Sequence, residues 1–326
     1  MLLRKKTGLL SAALVIAFSI TVPLVSAQQP NQNSGSGLQL SPTRTDLTGQ
    51  PGEKKTVSII LKNITQTDLT AQAFLNDFQS DNDSGTPQII VDTTKRTPYT
   101  LAKMLKNLSN VDLKPGETKE VRHTLEIPGN AAPGAYFGAL RYAAIPKGGI
   151  QNQADRQVSL TASVAHLVFV EVPGDINEQI QVENLKAQRN GKAGSFFFQS
   201  PNQVALSVKN KGNGFSRPFG KVNATGPFGA EVFSYDINNT DPRGIVLPDS
   251  ARKFTNNVKG VKMPGKYNLT ASIAYGNGGE VVTYKTSFIY MPLWAIAVLL
   301  LLVLLIAAAL FYVYRRRYSK SAKRHH

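Results

Sequence analysis

From Leu293 to Val313 the chain carries no charged residue and is built mostly from Leu, Ala, Val and Ile. As a helix, that length crosses a hydrocarbon core of about 30 Å. Tyr290 and Trp294 stand at its start, and Phe311, Tyr312 and Tyr314 at its end, where amphipathic rings suit the two membrane interfaces. Arg315, Arg316, Arg317, Lys320, Lys323 and Arg324 follow with no acid among them. Excess Lys and Arg flanking a span stays on the cytoplasmic side. The pattern therefore predicts a transmembrane helix over 291–314 and a basic cytoplasmic tail over 315–326, with Trp294, Arg315, Arg316 and Arg317 as anchors. Everything before the helix then lies outside, a single-pass type I arrangement in the cell membrane. A buried core helix fits poorly, because the segment is apolar on every side.

The N-terminus agrees. Arg4, Lys5 and Lys6 precede an uncharged stretch from Gly8 to Val25, and Val25-Ser26-Ala27 supplies small residues for a cleavage site. Residues 1–27 read as a signal peptide, with an uncleaved anchor as the competing reading. Of the formal +16, three positive charges fall in this signal and six in the tail. The stretch between keeps 28 Lys+Arg against 21 Asp+Glu, scattered and without a cluster of aromatic and basic residues. The high isoelectric point is thus no sign of nucleic-acid binding. No cysteine occurs, which excludes disulfides, thiolate metal sites and cysteine nucleophiles. The exterior must rely on hydrophobic cores, and it is long enough for two.

The exterior reads as strands. Residues 28–37 are a polar linker. In Thr56–Asn63, Val57, Ile59 and Leu61 alternate with Ser58, Ile60 and Lys62; in Lys119–Ile127, Val121, His123, Leu125 and Ile127 share one face. Ala135–Ala144 and Gln157–Val172 are further strands, paired as a hairpin. Pro-Gly turns at 51, 115, 133 and 173 punctuate them, as in a sandwich. One or two helical turns are expected over Pro98–Leu108, where Leu101, Met104, Leu105 and Leu108 keep helical spacing. The second half repeats the first: Val57–Asn63 is echoed by Val204–Asn210, and Pro133-Gly134-Ala135-Tyr136 by Pro264-Gly265-Lys266-Tyr267. Two β-sandwich domains are predicted, over 38–174 and 175–290, with Gly148–Arg156 as a second candidate boundary.

Leu38-Gln-Leu-Ser-Pro-Thr-Arg44, then Pro51-Gly52-Glu53 and a strand ending Lys62-Asn63, resembles the opening of bacterial extracytoplasmic immunoglobulin-like domains, including pilus-type periplasmic chaperones. Lys114-Pro-Gly-Glu117, Ala132-Pro-Gly-Ala-Tyr136 and Asn210-Lys-Gly-Asn213 with Pro218 and Gly220 extend the likeness. Over nearly its whole length the chain is similar to membrane-anchored surface proteins of the WxL-interacting type. It departs from them at Thr43–Thr48, where those relatives have an aromatic strand. The resemblance implies an all-β exterior of two tandem immunoglobulin-like sandwiches plus one C-terminal transmembrane helix. It also implies binding to peptidoglycan or to partner surface proteins.

Candidate chemistry is sparse. Asp77, Asp81, Asp83 and Asp92 form the one candidate ion site, yet Asp81-Asn-Asp83-Ser-Gly85 has Gly at the third ligand position and no Glu at the twelfth. A solvated turn is the competing reading. His123 and His166 lie on apolar strand faces with no second ligand at metal spacing, so both read as core histidines. Asn63, Asn107, Asn223, Asn238 and Asn268 each stand in an Asn-x-Ser/Thr sequence that matches the glycosylation pattern. The glycine-rich run Asn210–Gly229 offers a binding loop with Asn213, Phe215, Arg217 and Phe219; alternatively its aromatics, with Phe228, fill the second core. No hydrolase, zinc-protease or nucleotide-binding motif occurs, and no cofactor is implied.

These readings favour a non-catalytic, membrane-anchored surface binding or scaffold protein that contacts cell-wall polymer or other surface proteins. Two alternatives stand beside it: a tethered chaperone-like module acting by β-strand addition, and a surface enzyme.

Overall fold

The computed structural model describes residues 37–147, 162–276 and 279–322. The signal peptide expected over 1–27, the linker up to residue 36 and the Gly148–Arg156 boundary candidate lie outside the described residues.

The first sandwich contains β1 (Leu38–Ser41), β2 (Arg44–Thr48), β3 (Lys54–Asn63) and β4 (Leu69–Asn76). A small hairpin of β5 (Phe78–Ser80) and β6 (Pro87–Ile89) follows, then β7 (Leu105–Lys106), β8 (Val111–Leu113), β9 (Thr118–Glu126), β10 (Gly134–Pro146) and β11 (Ser163–Val172). One sheet runs β1-β3-β9-β7 and the other β2-β11-β10-β4-β8. The first strand switches sheets after Ser41: β1 is antiparallel to β3, whereas β2 lies parallel to β11. The expected alternation is realised. Val57, Ile59, Leu61, Leu125 and Ile127 are buried, and with Leu140, Tyr142, Val168 and Val170 they build the core between the sheets.

The second sandwich contains β12 (Ile180–Arg189), β13 (Lys192–Ala193), β14 (Phe196–Phe197), β15 (Gln203–Asn210) and β16 (Phe219–Thr225). It closes with β17 (Glu231–Ile237), β18 (Ala251–Asn257), β19 (Gly265–Tyr275) and β20 (Glu280–Tyr290). Its sheets run β13-β12-β15-β18 and β14-β20-β19-β16-β17, and β14 is parallel to β20 as β2 is to β11. Both sandwiches are immunoglobulin-like; their five-stranded sheets share one strand order, and their four-stranded sheets differ at the edges, where β7 flanks β9 and β13 flanks β12. One helix, α1 (Leu293–Ala322), follows β20 after two residues.

Two repeated sequence pieces do the same work twice. Gly134 and Gly265 open β10 and β19 at φ of 138° and 141°, values that side chains resist. Two residues on, the Tyr136 hydroxyl donates to Ala132 O (3.0 Å) and the Tyr267 hydroxyl to Met263 O (2.7 Å), a tyrosine corner in each sandwich. The Asn that ends β3 and its counterpart ending β15 are also equivalent. The buried Asn63 amide donates to the carbonyls of Thr67, Leu113 and Lys114; that of Asn210 donates to Gly214 and Val246. Asn63 is thereby closed to glycosylation.

Of the one or two helical turns expected over Pro98–Leu108, one forms. Met104 and Leu105 N–H both donate to Leu101 O, giving one turn. β7 follows the turn directly and pairs with β9, and Asn107, at φ 57°, comes after it. Leu101, Met104 and Leu105 are buried as the spacing suggested, but one turn suffices to bury them.

Replacing Asn210 by Ala leaves Gly214 O and the Gly212 N–H without partners inside the fold, and leaves Val246 O with the Ser216 N–H alone. A loss of about 2–3 kcal/mol is expected, measured as a lower urea midpoint; an unchanged midpoint would show the amide to be dispensable.

Candidate functional site

The four aspartates do not converge. Asp77, just after β4, is buried, and its carboxylate accepts from Thr97 N–H (2.6 Å) and the hydroxyls of Thr97 (3.1 Å) and Thr100 (2.8 Å). Asp81 accepts the Ser84 hydroxyl (2.6 Å) and the N–H groups of Asp83, Ser84 and Gly85. Those bonds, the Ser84 hydroxyl first, hold its carboxyl far below the usual carboxylate range. The Thr94 hydroxyl and N–H lower Asp92 in the same way. Asp83 instead pairs with Lys253 of the second sandwich. Among the described residues no three His, Cys, Asp or Glu side chains form a metal-ligand group.

The acidic loop is a clasp between sandwiches. Asn82 Oδ1 accepts Ala251 N–H (3.0 Å), the Ser80 hydroxyl donates to Ala251 O (3.4 Å), and Lys253 N–H donates to Asp83 O. Ala251 and Lys253 belong to β18, the edge of its sheet, so the loop covers an edge that would otherwise be open to pairing.

The glycine-rich run is also drawn into this junction. Phe215 is buried with Phe78, Phe137, Phe169, Ile245 and Leu247 in a cluster separate from either sandwich core. Its ring lies 5.5 Å from Phe169 and 6.1 Å from Phe137. It therefore neither forms a free binding loop nor fills the second core: it seals one sandwich to the other. Asn213 stitches the same seam, accepting Ala135 N–H at its carbonyl (2.9 Å) and donating its amide to Pro133 O (3.2 Å). Arg217 reaches Asp46 of β2 at 4.0 Å, where Asp46 already holds Arg44. Phe219 stands apart on the outer face of β16, under the Arg243 guanidinium at 3.8 Å. Phe228 is exposed at a turn. Sequence reasoning missed the Tyr99 hydroxyl that donates to Asp249 (2.6 Å) and is pushed up to about 12 by burial and this bond. With 150 residues between the partners, no local pattern announces it.

The histidines are core groups. His123 Nδ1–H donates to Asn107 O (3.3 Å), and Nε2 accepts the Tyr142 hydroxyl (2.6 Å). His166 Nδ1–H donates to Pro42 O (2.8 Å). Burial lowers both below the ordinary imidazole value.

Among the described residues, two surfaces of the first sandwich lie away from the junction contacts. One is the tip farthest from the junction, where Asp68, Asp112, Lys114, Glu117, Lys119 and Lys147 line a shallow concavity of about 140 Å³. β10 runs from the seam to this tip over 13 residues, roughly 40 Å at strand rise. The other is β2, a five-residue strand at one edge of its sheet.

The helix is long and apolar enough to cross a membrane over Leu293–Arg316, with mean hydropathy 3.2. Trp294, Arg315 and Arg316 are exposed on it. Arg317 lies within α1.

No family model matches the chain, and neither does any curated protein. Solved structures similar to it include the subject of "Chaperone-tip adhesin complex is vital for synergistic activation of CFA/I fimbriae biogenesis", at 11% identity and TM-score 0.38, covering 78% of this chain and 99% of that one. The class 5 fimbriae chaperone CfaA matches at 11% identity and TM-score 0.35, covering 78% and 100%. The Pseudomonas aeruginosa CupB2 chaperone matches at 12% and 0.34, covering 77% and 100%.

Two outcomes follow. Phe215→Ala should cost about 3 kcal/mol and split urea unfolding, followed by circular dichroism, into two transitions; a single unshifted transition would refute the seam. Because the folded histidines bind protons less readily than unfolded ones, stability should be full above about pH 6.5 and fall as pH drops through that value. His123→Gln should flatten that slope; an equal slope in the variant would count against it.

Proposed function

We propose that the chain is a non-catalytic, single-pass membrane protein of a bacterial cell surface that presents its first sandwich to cell-wall polymer or to neighbouring surface proteins. The observation that supports this most is the way its polar candidates are used. Asp77, Asp81, Asp83, Asn213 and Tyr99 hold turns or join sandwiches, while the charged residues of the far tip, among the described residues, take no part in the junction. A seam of aromatic rings and a two-residue connection to α1 make a stalk that carries the tip away from the helix. The whole-length resemblance to WxL-interacting-type proteins favours the same reading.

A second reading is strand addition, favoured by β2 as an open sheet edge. The two separate experimentally. Residues 28–290 should be retained by isolated wall or by envelope protein extract. If the charged tip binds, added salt and the K114E/K119E/K147E variant should release the protein. If β2 binds by strand addition, salt should matter little and Thr45→Pro should abolish retention. Turnover of a wall substrate with no retention would overturn both.

A further inference from the structure

The end of the second sandwich that meets α1 has a surface unlike the rest of the molecule. Three connections converge there: residues 189–202, the 226–230 turn between β16 and β17, and 258–264 between β18 and β19. The registers place them together, since Phe197 and Gly265 both pair with Tyr290, and Thr225 pairs with Asn268 beside them. Their tips are apolar and exposed: Phe228 at 85%, Met263 at 54%, Phe198 at 52% and Phe196 at 48%. The Phe196 and Phe198 rings meet edge to face at 5.1 Å, so they stand as one wedge. Around these tips lie the exposed cations Lys192, Lys259, Lys262 and Lys266. The segments 189–202, 226–230 and 258–266 contain no Asp or Glu; the nearest acid in sequence is Glu231.

This end is also fixed to the helix. Ile289 N–H donates to Ser195 O (2.8 Å) and Met291 N–H to Phe197 O (2.9 Å), so β14 is bonded to the last residues before α1. Pro292 and Ala295 are buried, which packs the first helical turn against the sandwich. Phe198 is level with Met291, two residues before Leu293, or about 7 Å at strand rise. Each headgroup layer is roughly 5–8 Å thick. A helix entering the hydrocarbon at Leu293 therefore sets Phe198 at headgroup depth, with Met263 and Phe228 on the same end.

We propose that this end is a membrane-binding face. Phe198, Phe228 and Met263 enter the headgroup–acyl boundary, and Lys259, Lys262 and Lys266 bind anionic lipid headgroups. The second sandwich then rests on the bilayer and does not swing about the helix. Apolar tips ringed by cations fit an anionic lipid surface better than a protein partner, whose own surface would have to reach the bilayer plane. The inference rests on the reading that α1 spans a membrane.

The test uses the full chain in nanodiscs of phosphatidylcholine with and without phosphatidylglycerol, carrying lipids brominated near the headgroup end of the acyl chain. Trp294 is the only native tryptophan, so it reports on the helix, and F228W in a W294F background reports on the face. Position 228 is an exposed turn tip, so the probe leaves the core intact. The expected result is blue-shifted, quenched emission from the F228W probe, stronger with phosphatidylglycerol. K259E/K262E/K266E should abolish quenching of that probe while native Trp294 stays quenched in the same triple variant. Quenched Trp294 with a water-like, unquenched F228W probe would overturn the face and leave the span standing. If neither is quenched, the span fails and the face with it.

Discussion

The seam between the sandwiches is the contact on which the remaining architecture depends. Phe78, Phe137 and Phe169 from the first sandwich close on Phe215, Ile245 and Leu247 from the second, and all six are buried. Aromatic pairs of this kind contribute about 0.5–1.5 kcal/mol each beyond the area they bury. The ion pairs nearby, Asp83 with Lys253 and Asp46 with Arg217, are partly exposed, and such pairs contribute about 0–1 kcal/mol. The apolar contact thus holds the sandwiches together, and the polar contacts fix their register. Without it the acidic loop would have no edge strand to cover.

Each sandwich uses the same parts, and position in the chain decides what they serve. Asn63 and Asn210 end equivalent strands and tie equivalent loops. The loop after Asn63 lies at the far tip, whereas the loop after Asn210 supplies Asn213 and Phe215 to the seam. The charge distribution follows the same logic. Acidic groups gather at the junction, where backbone N–H groups and Lys253 meet them, and cations gather at the end that meets the helix.

Much of the fold was legible. Alternation in β3 and β9, the Pro-Gly turns and the echoed Pro-Gly-x-Tyr pieces are local signals, because a strand must bury every second side chain and a tyrosine corner needs its residues within a few positions. The helical spacing at Leu101–Leu108 marked a single turn, which is enough to bury Leu101, Met104 and Leu105. The glycine-rich loop was identified but its use was not. A buried aromatic in a loop shows the same composition whether it meets a ligand, its own core or another domain.

The sequence by itself determined the class of each segment: strands where apolar residues alternate, an apolar helix where charge vanishes for a membrane's width, turns where Pro and Gly meet. These follow from local burial and backbone geometry. Only the tertiary structure decided which groups meet across the chain: Asp83 with Lys253, Tyr99 with Asp249, Phe215 with Phe137 and Phe169. Such pairings depend on how two finished sandwiches present their ends to each other, and no periodicity along the chain encodes that.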